Sequence, residues 1–509
     1  MSIWRVLLAV ILLGMFIYAG YVRWSEWKAQ KTIEVTKPWF GPYVDVTATP
    51  RFAFEQMAND KVKNIVLAFI VSDPNGSCTP AWGGVYSLDS ASNDLDLDRR
   101  IARYRQQNGN VVVSFGGLLN DELADVCSDN DKLYYAYQAV INRYNLDTID
   151  LDIENDSLTN REALNRRAAV LAKLQQQRRV DGSPLAIWIT LPVAPQGLTP
   201  DGTNAVASML SAGVDLAGVN VMTMDYGQSK DKNDSMQVVS EKALNETHRQ
   251  LGILYKQAGV NLNSGTIWAK LGATVMIGQN DIKDEVFTLD DAKGINEFGV
   301  SNKLVRMSMW SANRDIECGE NYVNLNVVSD SCSGVSQARL DFTKILMQGF
   351  DSEISQNAAI QTVSNNQEET SQIDIPEESP YQIWIENGTY LQGTKVVWHR
   401  NVYQAKWWTK GDLPDNPVLQ TWETPWQLLG PVMPGEKPVS MATLPKGTYP
   451  EWSGTDIYQA EDRVIFMDTP YEAKWWTQGD SPAASTSNPD SSPWVILSQV
   501  EIEEIIKGL

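Results

Sequence analysis

Histidine is nearly absent: the 509 residues contain two, His248 and His399. That scarcity disfavours a His-based catalytic triad and a His-rich metal centre, so no metal and no cofactor are expected and acid–base work falls to carboxylates. Basic residues are also short, 42 against 63 acidic ones, and the net charge of -21 argues against a nucleic-acid partner. Cysteine is limited to Cys78, Cys127, Cys318 and Cys332 in connecting segments. Four suffice for two disulfides in an oxidising compartment; Cys318 with Cys332 closes a short loop, but sequence does not fix connectivity. Long apolar runs are missing except for Val6 to Val22, between Arg5 and Arg23. That run is at the short limit for a membrane span and no small-x-small cleavage site follows, so residues 1–30 read as a signal-anchor or a signal peptide. Either implies export, to the medium or to an outward-facing membrane anchor.

What is present is acidic and ordered. Asp147-Thr-Ile-Asp150-Leu-Asp152-Ile-Glu154 alternates carboxylates with Ile and Leu. In a strand successive side chains face opposite ways, so Asp150, Asp152 and Glu154 share one face while Ile149, Leu151 and Ile153 pack the other. Carboxyls that close cannot all stay ionised, so at least one pKa rises toward the working pH, and Glu154 at the end is the natural proton donor. A calcium loop is excluded by the apolar spacers and by Asn155 where a Gly is needed. Residues 110–117, Asn-Val-Val-Val-Ser-Phe-Gly-Gly, read as a parallel strand entering a tight turn at Ser114-Phe115-Gly116-Gly117. Later, Val219 to Gly227 sets Asn220, Met222, Met224 and Tyr226 on one face.

Ser114-x-Gly116-Gly117, Asp147-x-x-Asp150-x-Asp152-x-Glu154, Met224-x-Tyr226 and a late-strand Trp310 resemble the ordered landmarks of glycoside hydrolase family 18, the chitinases, over residues about 38 to 350. The resemblance implies an α/β fold, a (β/α)8 TIM barrel whose fourth strand ends in the catalytic Glu, and chitin or N-acetylglucosamine oligomers as substrate. It implies that Glu154 protonates the glycosidic oxygen, that Asp152 orients the sugar's 2-acetamido group, which is itself the nucleophile, and that Tyr226 bonds the acetamido oxygen. Asp150 would hold Asp152 and share its proton. Asp147 and Ser114 are expected as supports, Met224 as a neighbour of the sugar and Trp310 as its apolar floor. Gly116 and Gly117 serve backbone geometry. One departure is evident: the family pattern Met-x-Tyr-Asp reads Met224-Asp225-Tyr226-Gly227 here, so the carboxylate after the Tyr is missing and Asp225 falls on the opposite face.

Periodicity agrees with a barrel. Strand-like segments lie near 43–48, 64–70, 110–115, 147–153, 185–192, 217–224, 271–277 and 304–310, with helical patterns at Asp96 to Gln107, Asp131 to Tyr144, Asn160 to Arg179 and Ser235 to Ala258. Roughly 27 residues separate the last two strands, too few for an inserted domain. In the family the chain resembles, members with such a domain have deep, tunnel-like clefts, so the resemblance implies a shallower groove here and mid-chain cutting.

Residues 351–379 are rich in Ser, Gln, Asn and Glu and read as a flexible linker. Beyond it the chain repeats. Tyr403-x-Ala405-Lys406-Trp407-Trp408-Thr409-x-Gly411-Asp412 recurs 68 residues later as Tyr471-x-Ala473-Lys474-Trp475-Trp476-Thr477-x-Gly479-Asp480, and the same offset superposes Trp384 on Trp452 and Trp426 on Trp494. Two small all-β modules, 380–430 and 446–500, are expected. The Ala-Lys-Trp-Trp-Thr-x-Gly motif resembles chitin-binding modules of carbohydrate-binding families 5 and 12. On a strand, one Trp of each pair would be core and one exposed; the resemblance implies Trp408 and Trp476 as the stacking residues, with Tyr403 and Tyr471 as further candidates. A monomer is expected. The competing readings are an endo-β-N-acetylglucosaminidase acting on glycoproteins and a non-catalytic chitin-binding lectin or adhesin; the modules disfavour the first and Glu154 the second.

Overall fold

The computed structural model describes residues 36–508 apart from 323, 325–326, 365–372, 434, 439–443, 467–468, 483–491 and 498. Residues 1–30, the expected signal segment, lie outside the described residues. The chain divides into two compact units, one ending at Asn366 and one starting at Gln367.

The first unit is a closed barrel of eight parallel strands. They are β1, in two pieces Trp39–Phe40 and Tyr43–Asp45; β2 Asn64–Ser72; β3 Asn110–Gly116; β4 Thr148–Asp152; β5 Ala186–Ala194; β6 Leu216–Thr223; β7 Leu271–Met276; and β8 Arg306–Trp310. Each pairs in parallel with the next. The first piece of β1 pairs with β8 and the second with β2, so the chain crosses the seam at Gly41-Pro42 and closes the ring. Strands covered on both faces need continuous apolar sequence, as in Val111 to Val113, rather than alternation.

Between the strands run the expected helices, Leu97–Gln106, Asn130–Arg143, Arg161–Val180 and Met236–Gln257, followed by Leu289–Asn302 ahead of β8. Asp129, Asn160, Ser235 and Thr288 each accept a first-turn backbone N–H, which fixes where those helices begin. Between β7 and β8 there is a short hairpin, Gly278–Gln279 with Val286–Phe287, and that last helix. Cys78 is bonded to Cys127, tying the segment after β2 to the loop after β3, and Cys318 to Cys332 in the segment after β8.

The linker is shorter at both ends than composition suggests. Ile354 is buried in a cluster with Trp39, Tyr43, Val66 and Trp188. Asn64 donates to the Ser352 carbonyl at 3.0 Å and accepts from the Ile354 N–H at 2.9 Å. Thr362 N–H donates to Asp215, so 352–364 belong to the barrel. At the other end Asp374 accepts from the backbone N–H groups of His399 and Arg400 at 2.8 and 2.6 Å. Polar composition signals a linker when nothing receives its polar groups; here Asn64 and Asp215 receive them on one side, and Asp374 binds the second unit on the other.

The second unit contains the repeat as structure. In the first copy Lys395–Trp398, Asn401–Ala405 and Trp426–Pro431 form an antiparallel sheet, and Thr389–Tyr390 pairs with Thr409–Lys410. Arg463–Phe466, Thr469–Ala473 and Trp494–Ile496, with Ile457–Tyr458 on Thr477–Gln478, repeat it. The fixing bonds repeat too: indole N–H of Trp426 to the Asp412 carbonyl and of Trp494 to that of Asp480, both 2.8 Å.

The Cys78–Cys127 bond spans 49 residues and the Cys318–Cys332 bond 14. Removing either costs on the order of 2–4 kcal/mol by unfolded-state entropy, more for the longer loop. The Cys78→Ser/Cys127→Ser pair is therefore expected to lower Tm more than Cys318→Ser/Cys332→Ser in a thermal melt, and the reverse order would refute the loop-length account.

Candidate active site

Asp150, in the middle of β4, is fully buried and its two oxygens take four donors. Oδ1 accepts from Arg306 at 2.6 Å and Thr190 Oγ1 at 2.8 Å; Oδ2 accepts from Tyr43 OH and Ser114 Oγ, both at 2.7 Å. These partners come from β8, β5, β1 and β3. The network extends through Asn220 on β6, which donates to Thr190 at 3.0 Å and to Thr274 on β7 at 2.7 Å. Arg306 is enclosed by the rings of Trp39, Tyr43 and Trp188, 5.2 to 5.5 Å from their centroids. No hydrogen bond joins Asp150 to Asp152 here; Asp150 forms a buried ion pair with Arg306.

Asp152, one turn of the pleat toward the mouth, is 4% exposed, and its Oδ1 is buried without a partner. Burial first, then the charges of Glu154 and Asp150, push its carboxyl well above the usual range against the opposing pull of Arg306. Glu154 lies two residues past the strand in backbone that is still extended, φ -131° and ψ 168°, so the alternation holds. It heads helix Asn155–Thr159 without capping it through its side chain. Burial, with the charges of Asp225 and Asp281, pushes Glu154 up to about 7. Beneath this strand end, the Gly117 N–H donates to the Asp152 carbonyl at 2.9 Å. A Cβ on Gly116, at φ 101°, would come within 2.0 Å of that oxygen.

The β6 residues depart from the sequence reading. β6 ends at Thr223, and Asp225 takes a left-handed φ of 50°. Alternation no longer applies there, and Asp225 comes close enough to Glu154 for its charge to raise the Glu154 pKa. The position after Tyr226 is still Gly227, but a carboxylate acts on Glu154 from the residue before the Tyr instead. Burial, opposed by a bond from the Ile282 N–H, and the charges of Asp281 and Glu285 push Asp225 up to about 6. Tyr226 is buried instead: its hydroxyl is 3.4 Å from Ser240 on helix Met236–Gln257, and its N–H donates to Glu285. Met224 is half-buried just beyond β6.

Trp310, half-buried at the end of β8, stacks on Phe69 at 5.5 Å and lies 6.1 Å from Tyr43. Ser114 is a support for Asp150. Asp147 is not: it precedes β4, accepts from Thr148 and lies near Arg105 and Arg178 at the other end of the strand, about 20 Å of extended chain from Glu154. Sequence reasoning missed Arg306, Tyr43, Thr190 and Phe69; an arginine inside the apolar run Leu304 to Trp310 was the available signal.

In the second unit both members of each Trp pair are exposed, Trp407 and Trp408 at 45% and 43%, Trp475 and Trp476 at 44% and 56%. They occupy a bend after Ala405 and Ala473 rather than a strand, so one does not turn inward. Tyr403 and Tyr471 are core residues, packed with Trp384, Trp426 and their counterparts, and are withdrawn as stacking candidates.

A parallel barrel with carboxyls of raised pKa at the C-terminal ends of its strands is an arrangement suited to glycoside hydrolysis. By sequence the first unit is a glycoside hydrolase domain similar to the glycosyl hydrolases of family 18, whose family model matches residues 19–269. The probable bifunctional chitinase/lysozyme of Escherichia coli (strain K12) is 33% identical over 308 residues, 59% of this chain and 34% of that protein. Endochitinase 11 of Metarhizium anisopliae is 33% identical over 304 residues, 58% of this chain and 56% of that protein. The match thus spans about a third and just over half of these curated relatives. The catalytic domain of a chitinase from Pyrococcus furiosus superposes with a TM-score of 0.53 at 26% identity, covering 64% of this chain and 97% of that one.

Two stability effects of opposite sign are expected. Arg306→Met leaves Asp150 buried without its counter-ion and should cost roughly 3–5 kcal/mol in denaturant unfolding. Glu154 has a folded pKa above its unfolded one, so stability is lost as pH rises toward and through about 7. Glu154→Gln removes that loss, and its Tm should exceed the parent's by more at pH 8 than at pH 5; an equal gain at both would refute the assignment.

Proposed function

We propose that this protein is a chitinase that hydrolyses the β-1,4 bonds between N-acetylglucosamine units, with Glu154 as the acid. The observation that carries the reading is Glu154 pushed up to about 7 beside Asp152, whose buried Oδ1 has no protein partner. A carboxylic acid still protonated near neutral pH can deliver its proton to a glycosidic oxygen. The relatives named as chitinase and endochitinase support chitin as the polymer.

In the proposed reaction the Glu154 proton passes to the glycosidic oxygen as the C1–O bond breaks, and the oxygen of the sugar's own 2-acetamido group bonds to C1 to give an oxazolinium ion. Asp152 holds the acetamido group through its unpartnered oxygen and stabilises the positive charge. Glu154, now ionised, takes a proton from water as that water attacks C1 and the bond from C1 to the acetamido oxygen breaks, which regenerates the acetamido group, gives retained configuration and restores the acid. Asp150, fixed by four donors, holds β4 rather than moving protons. With Tyr226 directed to Ser240, Asp225 is the β6 group facing Glu154, and it acts on the acid's pKa.

The short β7–β8 connection supports an open groove and endo action. The exposed Trp pairs support chitin binding by modules like those of families 5 and 12, since an indole plane suits the apolar face of a pyranose. The disulfides support export to an oxidising compartment.

Hydrolysis of colloidal chitin should fall by at least about 10²-fold in Glu154→Gln, with short oligomers of mixed length appearing early in the parent. The alkaline limb of kcat/KM should lie near pH 7 and move to lower pH in Asp225→Asn, because removing the neighbouring charge eases ionisation of Glu154. Undiminished turnover in Glu154→Gln, or release of disaccharide alone from one chain end, would overturn the acid or the endo assignment respectively.

A further inference from the structure

The two modules share a core and a strand pattern but not a surface. Trp422 stands in the turn Thr421–Glu423 of the first copy and is 57% exposed. The repeat sets Asp490 against it in the second copy. Isolated exposed apolar residues are ordinary, but Trp422 is not isolated. The Lys406 ammonium lies 4.7 Å over the Trp407 ring and also donates to the Thr421 carbonyl, the residue before Trp422. The Lys406 N–H donates to the Pro425 carbonyl at 2.7 Å, which holds the same turn against the bend that carries Trp407 and Trp408. Three exposed indoles are thus gathered on one connected piece of backbone. Exposed indoles held on turns bonded to one another are the kind of apolar surface that marks a binding site. In the second copy Lys474 covers Trp475 at 4.5 Å in the same way, but the sequence supplies no third indole.

We infer that Trp422 is a third polysaccharide-contacting residue and that the two modules are unequal, the first being the anchor and the second an auxiliary. The inference rests on the carbohydrate-binding reading of the Trp pairs. Its ligand is the apolar face of successive pyranose rings, which needs aromatic planes at more than one sugar and no charge. Tandem sites of unequal strength hold a polymer through the stronger while the weaker adds effective concentration.

The test is sedimentation of the full-length chain with insoluble chitin, every protein carrying Glu154→Gln so that the polymer persists. Trp422→Ala, Trp408→Ala and Trp476→Ala are compared singly. Trp422→Ala and Trp408→Ala should each weaken binding about three- to tenfold, the scale of one aromatic contact, Trp476→Ala should weaken it less, and Trp422→Tyr should restore most of the loss. If Trp408→Ala and Trp476→Ala weaken binding equally and Trp422→Ala leaves it unchanged, the inference falls while chitin binding stands. Binding unchanged in Trp408→Ala/Trp476→Ala overturns the carbohydrate-binding reading itself. An unaltered Tm and near-UV spectrum distinguish lost contact from lost fold.

Discussion

The ion pair between Arg306 and Asp150 is the constraint on which the barrel and its mouth depend. Both side chains are wholly removed from water. Such a pair is costly to bury and is tolerated when every remaining donor and acceptor is engaged. Here Tyr43, Ser114 and Thr190 complete Asp150, while Ser308 and three aromatic rings complete Arg306. The pair and its partners come from five strands, and Asn220 and Thr274 add two more. A slip of any of these strands by one residue would leave a charge bare in the core, so the network fixes register around the ring. Register in turn decides which side chains reach the mouth. Asp152 and Glu154 lie there because they stand two and four residues beyond an Asp150 that cannot move.

The same pair shapes the electrostatics above it. Arg306 is committed to Asp150, so it relieves Asp152 only in part, and the charges that act on Glu154 are those of carboxylates. Burial, and then the negative field of Asp225 and Asp281, favour the protonated form of Glu154. The domain thus separates two carboxylates of one strand face by environment: the deeper one is paired and hydrogen-bonded, the outer one dry and beside like charges.

Most of the barrel was legible because parallel strands are apolar runs and capped helices announce their starts. The β4 face was legible because Glu154 keeps extended backbone past the end of its strand. The same rule failed where the backbone turned. Asp225 at φ 50° and the bend holding Trp407 and Trp408 both lie just past a strand, where period-two alternation has no force. Barrel sites and module faces are built at such ends, so the rule is weakest where function concentrates. Arg306 and Tyr43 escaped notice for another reason: each is a single residue in an apolar stretch, and its partner lies more than 100 residues away. The 352–364 segment was misjudged because composition does not reveal that Asn64 and Asp215 are waiting to accept and donate.

Gly116 touches no sugar in the proposed reaction, yet its missing side chain is what lets the β3 turn lie against the carbonyl of Asp152. The turn and the acidic strand are in this sense one inherited unit. Many residues around the barrel wall could be exchanged, but a side chain at this glycine would displace the backbone of Asp152, two residues before Glu154, and disturb the site from a position that carries no chemistry of its own. The sequence space open to the domain is therefore narrowed at a residue defined by what it lacks.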